Sequence, residues 1–304
     1  MNFQIPVQHL FTVVLDGLNN NSYAFKGPFG SRRLEKAIGG AVTGAAMNGR
    51  VLELLATDYG RVSDDGTLRA YNASVTLRSD DATTILMQYR GRSSPRYGAG
   101  QSRIQALFQA PEGRYRWLNG IQAIGYGTPQ GEATVLEIFA LTCEPGSEGP
   151  DDARPAAERL SVPGEFIFRR RSAHIPGAPR HVLRAPLGTR YFTLAEGGGT
   201  FAGPSMSGDF ISGFSWSPHR MLEEEGGGLL LQYDVDTYLR TNDGTSILMS
   251  YTGVSSPRYP KGFWMTAALF ETGAGPHEWL NQVQAVGFGA WKGDGAEYHI
   301  YALL

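Results

Sequence analysis

The chain has 304 residues and a formal net charge of −2. This length fits roughly two domains, and the charge gives no electrostatic reason to expect nucleic acid or an acidic membrane surface as a partner. A single cysteine, Cys143, excludes an internal disulfide, and no apolar run reaches the length of a membrane span or a signal sequence. We therefore expect a soluble, cytoplasmic protein.

In the N-terminal half, residues 68–78 (LRAYNASVTLR) alternate with a period of two. This pattern predicts a strand with one apolar and one polar face, and the polar face ends at Arg78. The following SDDA predicts a hairpin turn into a second strand. No segment has the periodicity of a full helix, and residues 111–120 predict a turn or two at most. The 40 glycines indicate many tight turns between short strands.

A linker is predicted at residues 144–164, which are rich in Pro, Gly and acidic side chains. It separates a first domain at 1–143 from a second at 165–304. In the second domain, residues 229–240 (LLLQYDVDTYLR) repeat the strand alternation. The polar face of this strand carries Asp234, Asp236, Tyr238 and Arg240.

The two halves are copies of each other. Residues 77–141 align without a gap with 239–303, and about 30 of the 65 pairs are identical. We therefore predict an all-β protein of two homologous antiparallel meander β-barrels, packed as a pseudo-dimer. Because a ligand-holding barrel can carry polar groups inside, we interpret the polar strand face as the inner one.

Several motifs resemble those of the domain-of-unknown-function 3237 family, and the resemblance covers each half almost completely. The family order is a Gly-x-Arg segment, a Gly-Gly pair, an acidic turn before a strand, and WLN followed by a Gly-x-Gly strand. It falls on Gly30 and Arg32, Gly39 and Gly40, "SDDA" and "WLNGIQAIGYG" in the first half. The resemblance implies a small barrel with an architecture like that of lipocalins and allene oxide cyclase. It also implies, from fungal members, cofactor-free cyclisation of an aromatic polyketide by adding a hydroxyl across an alkene.

In the second half, the Gly-x-Arg segment falls on Gly188 and Arg190. The family's Asp-aromatic step matches Asp58 and Tyr59, whereas the second half has no acid at that place. The two copies have therefore diverged in their ionisable groups, which argues against two equivalent sites.

Asp236 and Arg240 lie four residues apart on one strand face. They fit either a structural ion pair or a general acid or base next to an electrostatic clamp for a phenolate. Asp58 and Arg78 are the corresponding catalytic candidates of the first half. Substrate-binding candidates are Arg32, Arg190, Asp234, Tyr238, Tyr251, Trp216 and Trp264.

The segment SSPRY occurs unchanged at 93–97 and 255–259. It fits a loop needed for barrel closure or for the face between the halves, and alternatively a loop at the mouth that contacts substrate. The histidines show no metal-ligand spacing and no nucleotide-binding motif occurs, so we expect neither a metal nor a cofactor.

The family resemblance, taken with these candidate residues, implies a cofactor-independent cyclase or isomerase of a small aromatic or polyketide metabolite, with Asp236 preferred as the proton-handling acid. Two alternatives stay open: a lipocalin-like carrier, and a structural protein whose barrels are filled by side chains. Further homo-oligomerisation is compatible with all three interpretations.

Overall fold

A computed structural model describes residues 2–18, 20–28, 30–146, 159–174, 180–186, 188–193, 196–211, 218–223 and 228–304. The described chain divides into two compact units. The N-terminal unit is built on Pro6–Thr142. The C-terminal unit is built on Val162–Leu304 and also includes residues 2–5 and 143–146.

Ten strands lie among the described residues of the N-terminal half, and they pair antiparallel. They are β1 (Asn2–Leu15), β2 (Ser22–Gly27), β3 (Gly30–Ala37), β4 (Ala41–Thr43), β5 (Gly49–Val62), β6 (Arg69–Ser79), β7 (Thr84–Ser93), β8 (Ser102–Gln109), β9 (Ala123–Gln130) and β10 (Ala133–Leu141). Short 3-10 turns lie at Pro95–Tyr97 and Arg116–Gly120.

Eleven strands follow among the described residues of the C-terminal half. They are β11 (Arg159–His174), β12 (Arg180–Ala185), β13 (Gly188–Thr193), β14 (Glu196–Ala202), β15 (Ser207–Phe210), β16 (Pro218–Glu223), β17 (Leu229–Thr241), β18 (Ser246–Ser255), β19 (Phe263–Thr272), β20 (Gln284–Lys292) and β21 (Gly295–Leu303). A 3-10 turn lies at Glu278–Gln282. Strand β11 begins inside the range for which the composition predicts a linker.

Each unit closes into an eight-stranded barrel, which confirms the predicted all-β fold of two homologous meander barrels. In the N-terminal unit, β4 to β10 pair in sequence and β1 closes the ring by pairing with both β10 and β4. In the C-terminal unit, β11 closes the ring by pairing with β14 and β21. Hairpin β2–β3 adds to the outer part of β5, and β12–β13 adds likewise to β16.

In β6 and β17 the apolar face, and not the polar face as expected, points into the barrel. In β17 the buried side chains are the apolar set, including Val235 and Leu239, whereas Asp236 and Arg240 are exposed. In β6 the interior takes Val75 and Leu77. The prediction that the polar face lines the barrel was therefore wrong. Apolar burial decides the orientation, because each barrel interior is packed with aliphatic and aromatic side chains over most of its length.

The Gly-Gly pair, which recurs as Gly198 and Gly199 in the second half, has a steric cause. A Cβ on Gly40, whose φ is +144°, would lie 1.7 Å from the backbone oxygen of Val14 on β1. At the matching place in the C-terminal unit, a Cβ on Gly199 would lie 1.9 Å from the backbone oxygen of Arg171 on β11. Both glycines allow the strand that closes the barrel to approach its neighbour.

Among the described residues, no helix is long and apolar enough to cross a membrane.

Candidate functional site

Most of the candidates chosen from sequence lie on the outer faces of the barrels. Asp236 is exposed, and its carboxylate accepts a hydrogen bond from Ser250. Arg240 is also exposed, and Arg78 is half-buried opposite Arg50 on the outer face of β6. The structure brings neither arginine into a barrel interior. The outer face likewise carries Arg32, Arg190, Asp234 and Tyr238, by the registers of their strands.

Of the four other candidates, three are buried in a barrel interior. Tyr251 and Trp264 are buried inside the C-terminal barrel, at 3% and 7% exposure. Asp58 is buried inside the N-terminal barrel, at 1% exposure. Trp216 lies outside the described residues.

Asp58 belongs to an ionic cluster with Glu35 and Arg69, which we call the N-terminal ion cluster. Glu35 on β3 lies directly opposite Asp58 on β5, and both side chains point inward. Arg69 opens β6 on the inner face. Its Nη2 donates to Asp58 Oδ2 at 2.8 Å and also to Glu35 Oε2, while its Nη1 donates to Glu35 Oε1 at 2.9 Å. One guanidinium thus bridges two buried carboxylates.

Two further donors complete the cluster. The backbone N–H of Asn72 donates to Asp58 Oδ1 at 2.8 Å, and Arg33 Nε donates to Glu35 Oε1 at 2.7 Å. Burial nevertheless raises the pKa of the Asp58 carboxyl above its ordinary value, and outweighs the Asn72 hydrogen bond and the positive charge of Arg69. Asp58 is thus a buried acid that holds its proton more strongly than a carboxyl in water.

Two tyrosines lie beside the cluster. The guanidinium carbon of Arg69 lies 4.3 Å from the ring centre of Tyr71, whose hydroxyl is hydrogen-bonded to Ser93. Burial raises the pKa of both Tyr71 and Tyr89, so both are held as neutral phenols. Burial opposes the charge of Arg69, but the hydrogen bond and charge of Glu35 and the charge of Asp58 favour it, and the pKa of this guanidinium is raised.

A cavity of about 570 Å³ opens next to this cluster at one end of the N-terminal barrel. This volume is within the usual range for small-molecule sites. The polar side chains in its lining include Glu35, Arg69, Tyr71, Tyr89, Ser93 and Ser102. The rest of the lining is largely apolar and includes Leu18, Ile104 and Leu136. The charged side chains of the lining, Glu35 and Arg69, therefore lie together, and the rest of the lining combines apolar side chains with a few hydroxyl groups such as that of Ser102.

The SSPRY segment of the N-terminal unit contributes to the same chamber. Ser93, Ser94 and Pro95 all line the cavity, together with residues 98–100 of the loop that follows. Of the two interpretations of this motif, its position in the N-terminal unit favours the loop at the mouth.

The C-terminal barrel carries a different interior. Leu231 takes the register position of Arg69. Arg69 lies opposite Ser93, the last residue of β7, and Leu231 lies opposite Ser255, the last residue of β18. Arg170 is fully buried, and its guanidinium carbon lies 3.7 Å from the ring centre of Phe210. The ionisable groups have thus diverged between the copies, as the sequence predicts.

Sequence reasoning missed Glu35, Arg69, Tyr71 and Tyr89. A signal existed for one of them: Arg69 has the parity of Ala73, Val75 and Leu77, and is the charged exception on the apolar face of β6. A charged side chain at such a position needs a buried partner. The partners lie on β3 and β5, and no short-range pattern connects them to Arg69.

No group of three or more His, Cys, Asp or Glu side chains that could hold a metal ion occurs in the part of the chain that the structure describes. The Cys143 thiol is buried.

Comparison with solved structures gives similar chains that each match about half of this one. A β-barrel-like protein from Acinetobacter baumannii AYE is 21% identical over 46% of this chain and 95% of its own, with a TM-score of 0.38. A conserved protein of unknown function from Rhodopseudomonas palustris is 18% identical over 44% of this chain and 95% of its own, with a TM-score of 0.39. An enzyme from Penicillium herquei is 20% identical over 46% and 93%, with a TM-score of 0.32.

None of the curated proteins compared matches the chain. The family described as protein of unknown function DUF3237 matches it twice, at residues 5–141 and 165–303. A small-molecule-binding barrel is compatible with this match and with the cavity. The two segments together span most of the 304 residues, and the chain therefore belongs to the DUF3237 family as a tandem, two-copy member.

Proposed function

We propose that the N-terminal barrel is a cofactor-independent cyclase of a small hydroxylated aromatic or polyketide metabolite, acting by intramolecular addition of a hydroxyl to an alkene. The observation that carries the proposal is the N-terminal ion cluster at the wall of a largely apolar cavity. Perturbed acids in a cleft are a common feature of sites that move protons. The carboxyl pair of Glu35 and Asp58 takes the role that the sequence suggests for Asp236, and Arg69 takes that of Arg240.

The addition needs a proton donor at carbon and an acceptor for the hydroxyl proton. Glu35 is the carboxyl of the cluster that lines the cavity, and Asp58 lies behind it with a raised pKa. In the proposed step, the carboxyl pair holds one proton and gives it to the alkene carbon through Glu35. The substrate oxygen then bonds to the adjacent carbon, and its proton returns to the same pair, so that no proton is consumed.

Arg69 would stabilise the second negative charge that the carboxyl pair carries between giving up its proton and taking the hydroxyl proton back. It touches both carboxyls, and its charge is strongly held. Tyr71 and Tyr89 would remain neutral and offer hydroxyl groups that orient a polar substituent.

A carrier without catalysis is the second candidate. One observation favours it: both carboxylates already accept hydrogen bonds from the terminal nitrogens of Arg69, so the cluster is also suited to orienting a ligand that it does not change.

The test is incubation of the full chain, stripped of metal and without added cofactor, with prenylated hydroxyarene polyketides in deuterated water. A product of unchanged formula that has gained a single non-exchangeable deuteron, read by mass spectrometry, supports the cyclase. Unaltered ligand combined with a raised melting temperature supports the carrier. Absence of both effects would refute the proposal that this cavity is a ligand site.

A further inference from the structure

The two barrels differ systematically along one wall. In the N-terminal unit, Ser102, Pro129 and Leu136 line the cavity from β8, β9 and β10. The gap-free alignment of the two halves matches them to Trp264, Trp291 and Tyr298. Each of these cavity-lining positions therefore carries a much larger aromatic side chain in the C-terminal copy.

The strand registers establish that the positions are equivalent in space. Ser102 and Leu136 lie on either side of Gly127 in the N-terminal sheet. Trp264 and Tyr298 lie on either side of Gly289 in the C-terminal sheet.

In the C-terminal unit the aromatic side chains pack against one another. The ring centres of Trp264 and Tyr298 are 5.2 Å apart, and those of Trp264 and Trp291 are 5.5 Å apart. Trp264 folds across the glycine strand, since a Cβ on Gly289 would lie 2.0 Å from its Nε1. Trp264 and Tyr298, at 7% and 5% exposure, thus occupy the part of the barrel that corresponds to the cavity wall of the N-terminal unit, and Trp291, at 48% exposure, packs against Trp264.

We infer that Ser102, Pro129 and Leu136 set the size of the apolar part of the ligand that the N-terminal cavity accepts. This inference rests on the proposed function. The hydroxylated end of the ligand faces Glu35 and Arg69, and its ring system occupies the space that small side chains leave open on β8–β10. The ligand class is a hydroxyarene whose ring system extends beyond a single ring.

The C-terminal copy supplies the test substitution. Ser102→Trp introduces the Trp264 side chain opposite Gly127, which leaves the same open strip as Gly289. The probes are phenol, naphthol and hydroxypyrene, with dissociation constants measured by fluorescence titration on the full chain. Thr84→Trp is the matched control, because Thr84 is exposed on the outer face of β7.

We expect Ser102→Trp to weaken hydroxypyrene binding by about tenfold or more and phenol binding by less than about twofold. Thr84→Trp leaves both values unchanged. For a second variant, Leu136→Tyr, we likewise expect hydroxypyrene binding to be weakened more than phenol binding. If one of the two variants does not fold, the other still tests the inference. Equal hydroxypyrene affinity in the wild type and in a folded Ser102→Trp or Leu136→Tyr protein overturns the inference.

Measuring the same dissociation constants with Arg69→Leu separates the proposed ligand site from the inference about ligand size. Loss of binding of every probe, whatever its size, supports the ligand site itself. If the wild type binds none of the probes, the proposed function and this inference both fall. If the wild type binds hydroxypyrene and Ser102→Trp leaves its dissociation constant unchanged, the inference about cavity size is wrong, whereas the proposed ligand site stands.

Discussion

Both terminal nitrogens of Arg69 donate hydrogen bonds to the carboxylate of Glu35, and one of them also donates to Asp58. The Glu35 and Asp58 side chains are each 1% exposed, and that of Arg69 is 16% exposed. Arg69 is therefore the cation that the two buried acids share, and the more exposed Arg33 is an additional partner of Glu35.

We expect Arg69→Leu, which introduces the residue of the C-terminal copy, to lower the free energy of unfolding by about 3–5 kcal/mol. The reason is that removing one partner of a buried ion pair leaves uncompensated charge in the interior. Urea unfolding followed by circular dichroism measures this loss.

The triple variant Arg69→Leu, Glu35→Gln, Asp58→Asn is the matched control for that loss. It removes the acids together with the arginine, and we expect it to recover more than half of the lost stability. A triple variant no more stable than Arg69→Leu would mean that the arginine stabilises the fold by packing and not by charge.

Asp58 gives the protein a pH-dependent stability. Its pKa in the folded state is raised above the ordinary value of 3.8, mainly by burial. The unfolded chain therefore releases this proton at a lower pH than the folded protein does. As pH rises from about 3.8 through the raised folded value, the contribution of Asp58 to stability falls.

Asp58→Asn should remove this contribution. The stability of the wild type, measured relative to Asp58→Asn by urea unfolding, is expected to be highest at acid pH and to decline as pH rises. A difference between the two proteins that grows with pH, in favour of the wild type, would mean that Arg69 outweighs burial and holds the pKa down.

Gly40 is predicted to tolerate no side chain. Its Cβ would meet the Val14 backbone oxygen at 1.7 Å, and backbone atoms cannot rotate away. We expect Gly40→Ala to cost about 3 kcal/mol or more in unfolding free energy. Gly27→Ala is the control in the same unit, because its nearest atom would be at 3.8 Å. Equal melting temperatures for the two variants would contradict the steric account of the Gly-Gly pair.

The fold could be predicted from sequence because its determinants are local or repeated. Alternation in residues 68–78 and 229–240 defines strands, and the duplication defines two copies of one barrel. The period of two separates the faces of a strand without saying which face is inside. In β17 the apolar side chains of Tyr233, Val235 and Leu239 point into the barrel, whereas Asp236 lies on the exposed outer face.

The site was harder to predict because it is assembled from distant parts of the chain. Asp58 could be found through the family motif, whereas Glu35 and Arg69 become meaningful only when the register of β3, β5 and β6 is known. The volume of the cavity depends further on the size of the side chains that line it. The sequence of the first half gives Ser102 and Leu136 no distinguishing feature, and their role becomes visible only by comparison with their aromatic C-terminal counterparts.

The central claim is that proton chemistry occurs at the N-terminal ion cluster and not on the outer face of β17. The most direct measurement is deuterium incorporation into cyclised product in deuterated water, compared between wild type, Glu35→Gln and Asp236→Asn, with melting temperatures as the check on folding. We predict that Glu35→Gln loses about a hundredfold or more of the rate, as expected for a general acid, and that Asp236→Asn keeps the wild-type rate. Full activity in folded Glu35→Gln together with loss in Asp236→Asn would contradict the account and move the chemistry to β17.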